Sequence, residues 1–319
     1  MTCYFLLFLL PFFIALIIGN PLIVLLKSLK AKQIIREDGP SRHITEKSNT
    51  PTIGGLIFLI PLFLIILLSV LFNKQFLTTN LMVVLSTTFS LALLGFIDDY
   101  LKVVKRNNKG ISGWTKLLVQ LLISIIIFVL YKENRGLIFL PWVYFVMAGA
   151  SNSYNITDGL DGLVGSLAFL SFAGFMVLQG QYNNLELQAF CLIFMGAILG
   201  FLYFNKYPAK VFMGDTGSLA IGGAIGGMAI VSRTELYLAC FAVIPILEAL
   251  SVILQVLSCQ LSKKLTGVDK RIFKMAPLHH HFELCGWKEK EVVTRFFLVQ
   301  AIFVIIGILL SYLLRWLLR

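Results

Sequence analysis

Leu91-Ala92-Leu93-Leu94-Gly95-Phe96-Ile97-Asp98-Asp99-Tyr100-Leu101-Lys102 runs from an apolar stretch straight into two adjacent carboxylates and a lysine. An uncharged run begins near residue 80, long enough to cross a bilayer core of about 20 residues. Charge arrives only at its end. Ionisable groups are costly in hydrocarbon and tend to be functional where they stand at its edge. The stretch therefore sets two expectations: the chain spans a membrane, and its chemistry lies at one boundary.

The rest of the chain agrees. Of 319 residues, 58% are hydrophobic and 13% charged, against roughly 45–50% and about 25% in soluble domains. A soluble fold this apolar would expose large adhesive patches. Spanning runs are expected near 3–26, 53–72, 80–97, 115–131, 137–154, 160–180, 187–204, 216–232, 236–258 and 296–314. The fold class is thus all-α, a polytopic integral membrane protein with ten transmembrane helices in a single domain, 1–319. The first run lacks the basic n-region of a signal peptide and reads as a retained span. Cys3, Cys191, Cys240, Cys259 and Cys285 form no CxxC pair, so neither a disulfide framework nor a zinc site is expected.

Net charge is +11. In a soluble protein that would suggest a polyanionic partner; here its distribution reads otherwise. Segments 27–52, 98–116, 205–215 and 259–295 fall on one face and hold 21 of the 27 Lys and Arg residues. The positive-inside rule makes that face cytoplasmic, with both termini extracytoplasmic and no call for nucleic acid. The opposite connections are short, so an active-site cleft is expected at the cytoplasmic face.

The sixteen acids are more telling. Besides Asp98-Asp99, two groups stand at the inner membrane edge: Asn155-Ile156-Thr157-Asp158-Gly159-Leu160-Asp161-Gly162 and Phe212-Met213-Gly214-Asp215-Thr216-Gly217-Ser218. Adjacent carboxylates repel unless a cation holds them or one takes a proton. Oxygen ligands of this kind suit Mg²⁺, which keeps several waters and commonly also binds substrate phosphate. Asp215 stands where a helix should begin, and N–H groups there suit phosphate. The plainer reading is helix caps and loop acids offset by lysines; Lys102, four residues after Asp98, could be a simple ion pair. Pro277-Leu278-His279-His280-His281-Phe282-Glu283 places three histidines in a row. Successive helical residues point about 100° apart, so a shared metal is a poor fit and contact with diphosphate a better one. Glu248 and Gln255 lie on nearly one side of the ninth run, where Pro245 should kink the helix. A carboxyl satisfying loosened backbone is as good a reading of Glu248 as a direct role.

With Asp38-Gly39-Pro40 and Thr50-Pro51-Thr52-Ile53-Gly54-Gly55, these motifs resemble the polyprenyl-phosphate N-acetylhexosamine-1-phosphate transferase superfamily over essentially the whole chain. The histidine motif resembles its muramoyl-pentapeptide branch. The resemblance implies phosphoryl transfer from UDP-N-acetylmuramoyl-pentapeptide to undecaprenyl phosphate, giving lipid I and UMP in peptidoglycan synthesis. It also implies Mg²⁺, a homodimer and the bacterial inner membrane. By the same resemblance Asp98, Asp99 and Asp215 would be catalytic, with Asp215 the metal ligand and Asp98 the base toward the lipid phosphate. Lys102 and Lys116 would meet phosphate. Asn155, Asp158, Asn205, Phe212 and Gly214 would form the nucleotide pocket. Lys47, Thr52, Asp161, Gln255, His279, His280 and His281 would line the remaining cleft. Direct attack and a covalent Asp intermediate both remain open. Two other functions stay in view: transfer of N-acetylglucosamine-1-phosphate to the same lipid, and cation-coupled transport. Transporters place acids near the midplane, whereas only Glu248 is deep here.

Overall fold

A computed structural model describes residues 2–31, 50–105, 110–131 and 136–317. Among them are ten helices of 17 residues or more: α1 (Thr2–Ser28), α2 (Leu56–Phe72), α3 (Thr79–Lys105), α4 (Gly113–Tyr131), α5 (Leu140–Thr157), α6 (Leu163–Gln181), α7 (Leu185–Asn205), α8 (Gly214–Val231), α9 (Val243–Thr266) and α11 (Glu289–Leu317). A short α10 (Leu278–Leu284) carries the histidines. Seven of these helices, α1, α3, α4, α6, α7, α9 and α11, are long and apolar enough to cross a membrane. The structure is that of an all-helical, multi-pass membrane protein.

The expected runs all find a helix, with shifted ends. α3 continues past residue 97 to Lys105, and α9 past residue 258 to Thr266. Polar residues extend a helix readily when their side chains find partners, and these do. Expected run 236–258 is broken: one turn (Leu238–Phe241) precedes α9, with Ala242 at φ −132° between them. The break lies just upstream of Pro245, which has no N–H to return to the Phe241 carbonyl. Gln300 of α11 repairs it, donating to Phe241 O and accepting from Ile244 N–H at 3.0 Å; Ser171 of α6 also donates to that carbonyl, at 2.5 Å.

The core is centred on α8. Every residue from Gly214 to Val231 is buried except Asp215. It packs between α3 and α5, and its glycines explain how closely. A Cβ at Gly222 would collide with Ser151 of α5; one at Gly223 would come within 2.9 Å of the Thr87 carbonyl of α3. Small residues permit such backbone approach between membrane helices. Being enclosed by protein, α8 needs no lipid-facing apolar stripe. Around it, α1 lies on α7, α6 on α7, and α11 on α6.

Candidate active site: a carboxylate and lysine cluster

Three motifs converge at the N-terminus of α8. Segment Pro51–Gly55 docks on Phe212–Met213: Phe212 N–H donates to Pro51 O (2.8 Å), and Gly54 and Gly55 N–H donate to the carbonyls of Phe212 (2.8 Å) and Met213 (2.9 Å). Ile53, a β-branched residue, is held at φ +68°, a conformation that persists only where surroundings impose it. Gly214 also has positive φ (+73°), and a Cβ there would meet Asp99 Oδ2 at 2.5 Å and Thr52 Oγ1 at 2.8 Å. Both its backbone and its missing side chain are therefore required. One turn before the acids, Gly95 lets α3 touch α8: a Cβ would collide with the Asp215 carbonyl.

These approaches bring Asp98, Asp99 and Asp215 together. One oxygen from each lies within 4.8 Å of the others. Asp98 and Asp99 are buried, at 0% and 2% exposure. Two lysines offset them. Lys102 Nζ is 2.6 Å from Asp98 Oδ2 and 3.3 Å from Asp215 Oδ2. Lys116 Nζ is 3.1 Å from Asp98 Oδ2 and 2.5 Å from Asp215 Oδ2. The i,i+4 pair of Lys102 is thus real, and it is part of a larger network.

The three acids are not equivalent. Asp99 Oδ1 accepts from Asp215 N–H (3.1 Å), while Oδ2 accepts from Thr216 N–H (2.9 Å) and Thr216 Oγ–H (2.7 Å). Asp99 thus caps α8 from another helix. The N–H groups expected to hold phosphate at this helix start are occupied by a carboxylate of the chain itself. Asp98 Oδ1 accepts from Ile111 N–H at 2.5 Å, and its Oδ2 faces the lysines. Asp215 Oδ1 accepts from Asn155 Nδ2 (2.9 Å), which also donates to Ser218. Asp158, in the turn after α5, is half-buried, and burial together with the Asp215 and Asp99 carboxylates pushes it up to about 8. All the donor atoms offered are carboxylate oxygens, a set that fits a hard divalent cation.

Other expected residues serve as braces beside this cluster. Buried Asn205 accepts from Gly162 N–H and donates to Val211 O, both at 3.0 Å, tying the α6 entry to the segment before α8. Asp161 donates its N–H to Glu289 (2.8 Å) and accepts from Ala209 N–H (2.9 Å). Gln255 accepts from Ile272 and Phe273 N–H and donates to Phe273 O, folding segment 270–274 back on α9. The three histidines diverge: His279 meets Glu248, His280 meets Glu283, and His281 accepts from Lys274 N–H. Lys47 lies outside the described residues.

Sequence reasoning missed Thr216, Ser218, Ile111 and Glu289. The first two stand in the Asp215 motif and could have been read as its capping partners. The backbone N–H of Ile111 and the carboxylate of Glu289 left no sequence signal.

With this geometry in place, comparison with known proteins is informative. Residues 81–233 match the family model described as glycosyl transferase family 4. A phospho-N-acetylmuramoyl-pentapeptide-transferase from Geobacillus sp. (strain WCH70) is 40% identical over 317 residues, covering 94% of this chain and 95% of the relative. Proteins of the same name from Bacillus thuringiensis (strain Al Hakam) and Bacillus cereus (strain AH187) are 41% identical over 314 residues, covering 93% of this chain and 94% of each relative.

Proposed function

The chain belongs to the phospho-N-acetylmuramoyl-pentapeptide-transferase family, and from that membership we infer that it transfers phospho-N-acetylmuramoyl-pentapeptide from UDP to undecaprenyl phosphate. The products are lipid I and UMP, and the step belongs to peptidoglycan synthesis. The observation that carries this reading is the cluster of Asp98, Asp99 and Asp215 interleaved with Lys102 and Lys116. Two anionic substrates must be brought together, so fixed cations and a hard-metal site are what the reaction needs.

Mg²⁺ fits this all-oxygen donor set; when bound it screens the charge on the diphosphate. Asp215 would be its principal ligand, and Asn155 holds the Asp215 carboxylate in place. Asp99 keeps the start of α8, and therefore Asp215, in register. Lys102 and Lys116 neutralise phosphate oxygens and exchange their present carboxylate partners for substrate. Asp98 accepts the proton from the lipid phosphate, whose oxygen attacks the diphosphate directly; UMP leaves. Asn155, Asp158, Phe212 and Gly214 form the nucleotide pocket, which Asn205 braces. Lys47, Thr52, Asp161, Gln255 and His279–His281 shape the rest of the cleft. The protein is one domain with ten spans in the bacterial inner membrane, termini outside, cleft toward the cytoplasm, and it works as a homodimer.

The test is UMP release from UDP-N-acetylmuramoyl-pentapeptide with Mg²⁺ and polyprenyl phosphate, by wild type and Asp215→Asn. Loss of at least ~100-fold is expected in the variant, and full retention would remove the metal assignment. UDP-N-acetylglucosamine, run alongside, should release no UMP. A phosphorylated Asp98 trapped in a single turnover would overturn direct attack.

A further inference from the structure

Among the described residues, Glu248 is the one carboxylate set deep in a helix of the bundle and unused by the chemistry above. It is fully buried in α9, at 0% exposure. Its Oε1 accepts from the His279 backbone N–H and also meets His279 Nδ1, both at 3.1 Å. An ionised carboxylate only accepts, so in that state Nδ1 carries the proton and Nε2 is the nitrogen left free. His279 is itself 1% exposed, and its Nε2 has no hydrogen-bond partner among the described residues. That nitrogen points at Gly159, where any Cβ would collide with it. Gly159 directly follows Asp158, in the turn that joins Asn155 to Asp161. The pair therefore bridges three separate pieces of chain: α9, the start of α10 and the α5–α6 turn.

We propose that Glu248 is a positioning residue acting through His279: it holds the ring as the Nδ1–H tautomer and keys it into the Asp158–Gly159 turn. The histidine segment and the nucleotide-pocket turn are thereby kept at one spacing. This inference rests on the transferase reading above. A carboxylate that orients a histidine by its Nδ1–H, leaving Nε2 for the work, is a familiar arrangement; on metal-ligating histidines, losing such a partner typically costs about 10–100-fold in affinity or activity, and the same order is expected here.

The experiment measures kcat and KM for UMP release, with thermal stability of the purified protein alongside, for five variants. Glu248→Leu should lower kcat/KM by about 10–100-fold. Glu248→Gln, whose amide oxygen can still accept both bonds, should recover most of that loss. The Glu248→Leu/His279→Leu double variant should be no worse than His279→Leu alone, because the first residue acts only through the second. Gly159→Ala, which unseats the ring from the opposite side and leaves α9 untouched, should lose activity comparably. It carries the test if Glu248→Leu fails to fold. Multiplying losses in the double variant, or a folded Gly159→Ala with wild-type kcat/KM, would overturn the proposal. A wild type that releases no UMP sinks the functional reading and this inference with it; an active wild type with independent losses sinks the inference alone.

Discussion

Asp99 is where a structural role and a proposed catalytic one overlap, and a stability measurement separates them. Its carboxylate receives three donors from the first two residues after Gly214: two backbone N–H groups and the Thr216 hydroxyl. Asp99→Ala strands all three in a buried site. Each unsatisfied buried donor costs about 1–3 kcal/mol, so the gross loss is at least about 3 kcal/mol. Relief of repulsion from Asp98 and Asp215 returns part of this, and loss of an N-cap alone is measured at about 0.5–2 kcal/mol. A net loss of about 2 kcal/mol follows, roughly 3 °C in melting temperature at about 2.1 cal/mol/K of unfolding entropy per residue. Asp99→Asn keeps one oxygen acceptor and should lose about half as much. Thr216→Val removes one donor and no acidic group, and should cost about 1 kcal/mol. The assay is thermal unfolding in detergent without added Mg²⁺, so that metal binding contributes nothing. A melting temperature for Asp99→Ala equal to or above wild type would refute the cap, and would mean that Asp99 serves the metal alone.

Further outcomes can be checked with the same preparations. Gly95→Ala should destabilise by about 1–3 kcal/mol and reduce UMP release, because its Cβ runs into the Asp215 carbonyl; Gly113→Ala, which meets nothing within 4 Å, should do neither. The raised value of Asp158, about 8 against an ordinary 3.8, means that the protonated carboxyl favours the folded state. Its contribution is full below about pH 4 and lost as pH rises through about 8. Without Mg²⁺, Asp158→Asn should therefore flatten the fall in melting temperature between pH 5 and 9, and an unchanged slope would refute the burial argument. Asn205→Leu should lower stability by about 2 kcal/mol by stranding Gly162 N–H and Val211 O, seen as a lower melting temperature at every pH.

Much of this was legible in the sequence because apolar runs must bury themselves in lipid or protein, and because charges at a membrane edge need a reason. The gathering of Asp98, Asp99 and Asp215, and the divergence of the three histidines, both followed from placement and helical pitch. Pairs far apart in sequence were not legible. Lys116 and Asp215 are separated by 99 residues, and Glu248 and His279 by 31; nothing local marks such partners. Of the two readings of the acids, the helix cap is realised by Asp99, and the three carboxylates together form a cluster that could hold a metal ion. Asp99 caps, while Asp215 and Asp98 face the lysines. The glycines of 216–232 also have a physical cause: a helix sheathed by its neighbours needs small residues where their backbones approach.

That sheath has a mechanical consequence. A helix facing lipid must tilt or shift when bilayer thickness changes. The helix carrying Asp215 has no such face; it is a shaft clamped along its length by its two neighbours. Thickening or thinning of the membrane would act first on outer helices such as α1 and α11, whose surfaces are largely exposed. The depth of Asp215 is therefore set by its protein neighbours and not by any contact of its own helix with lipid.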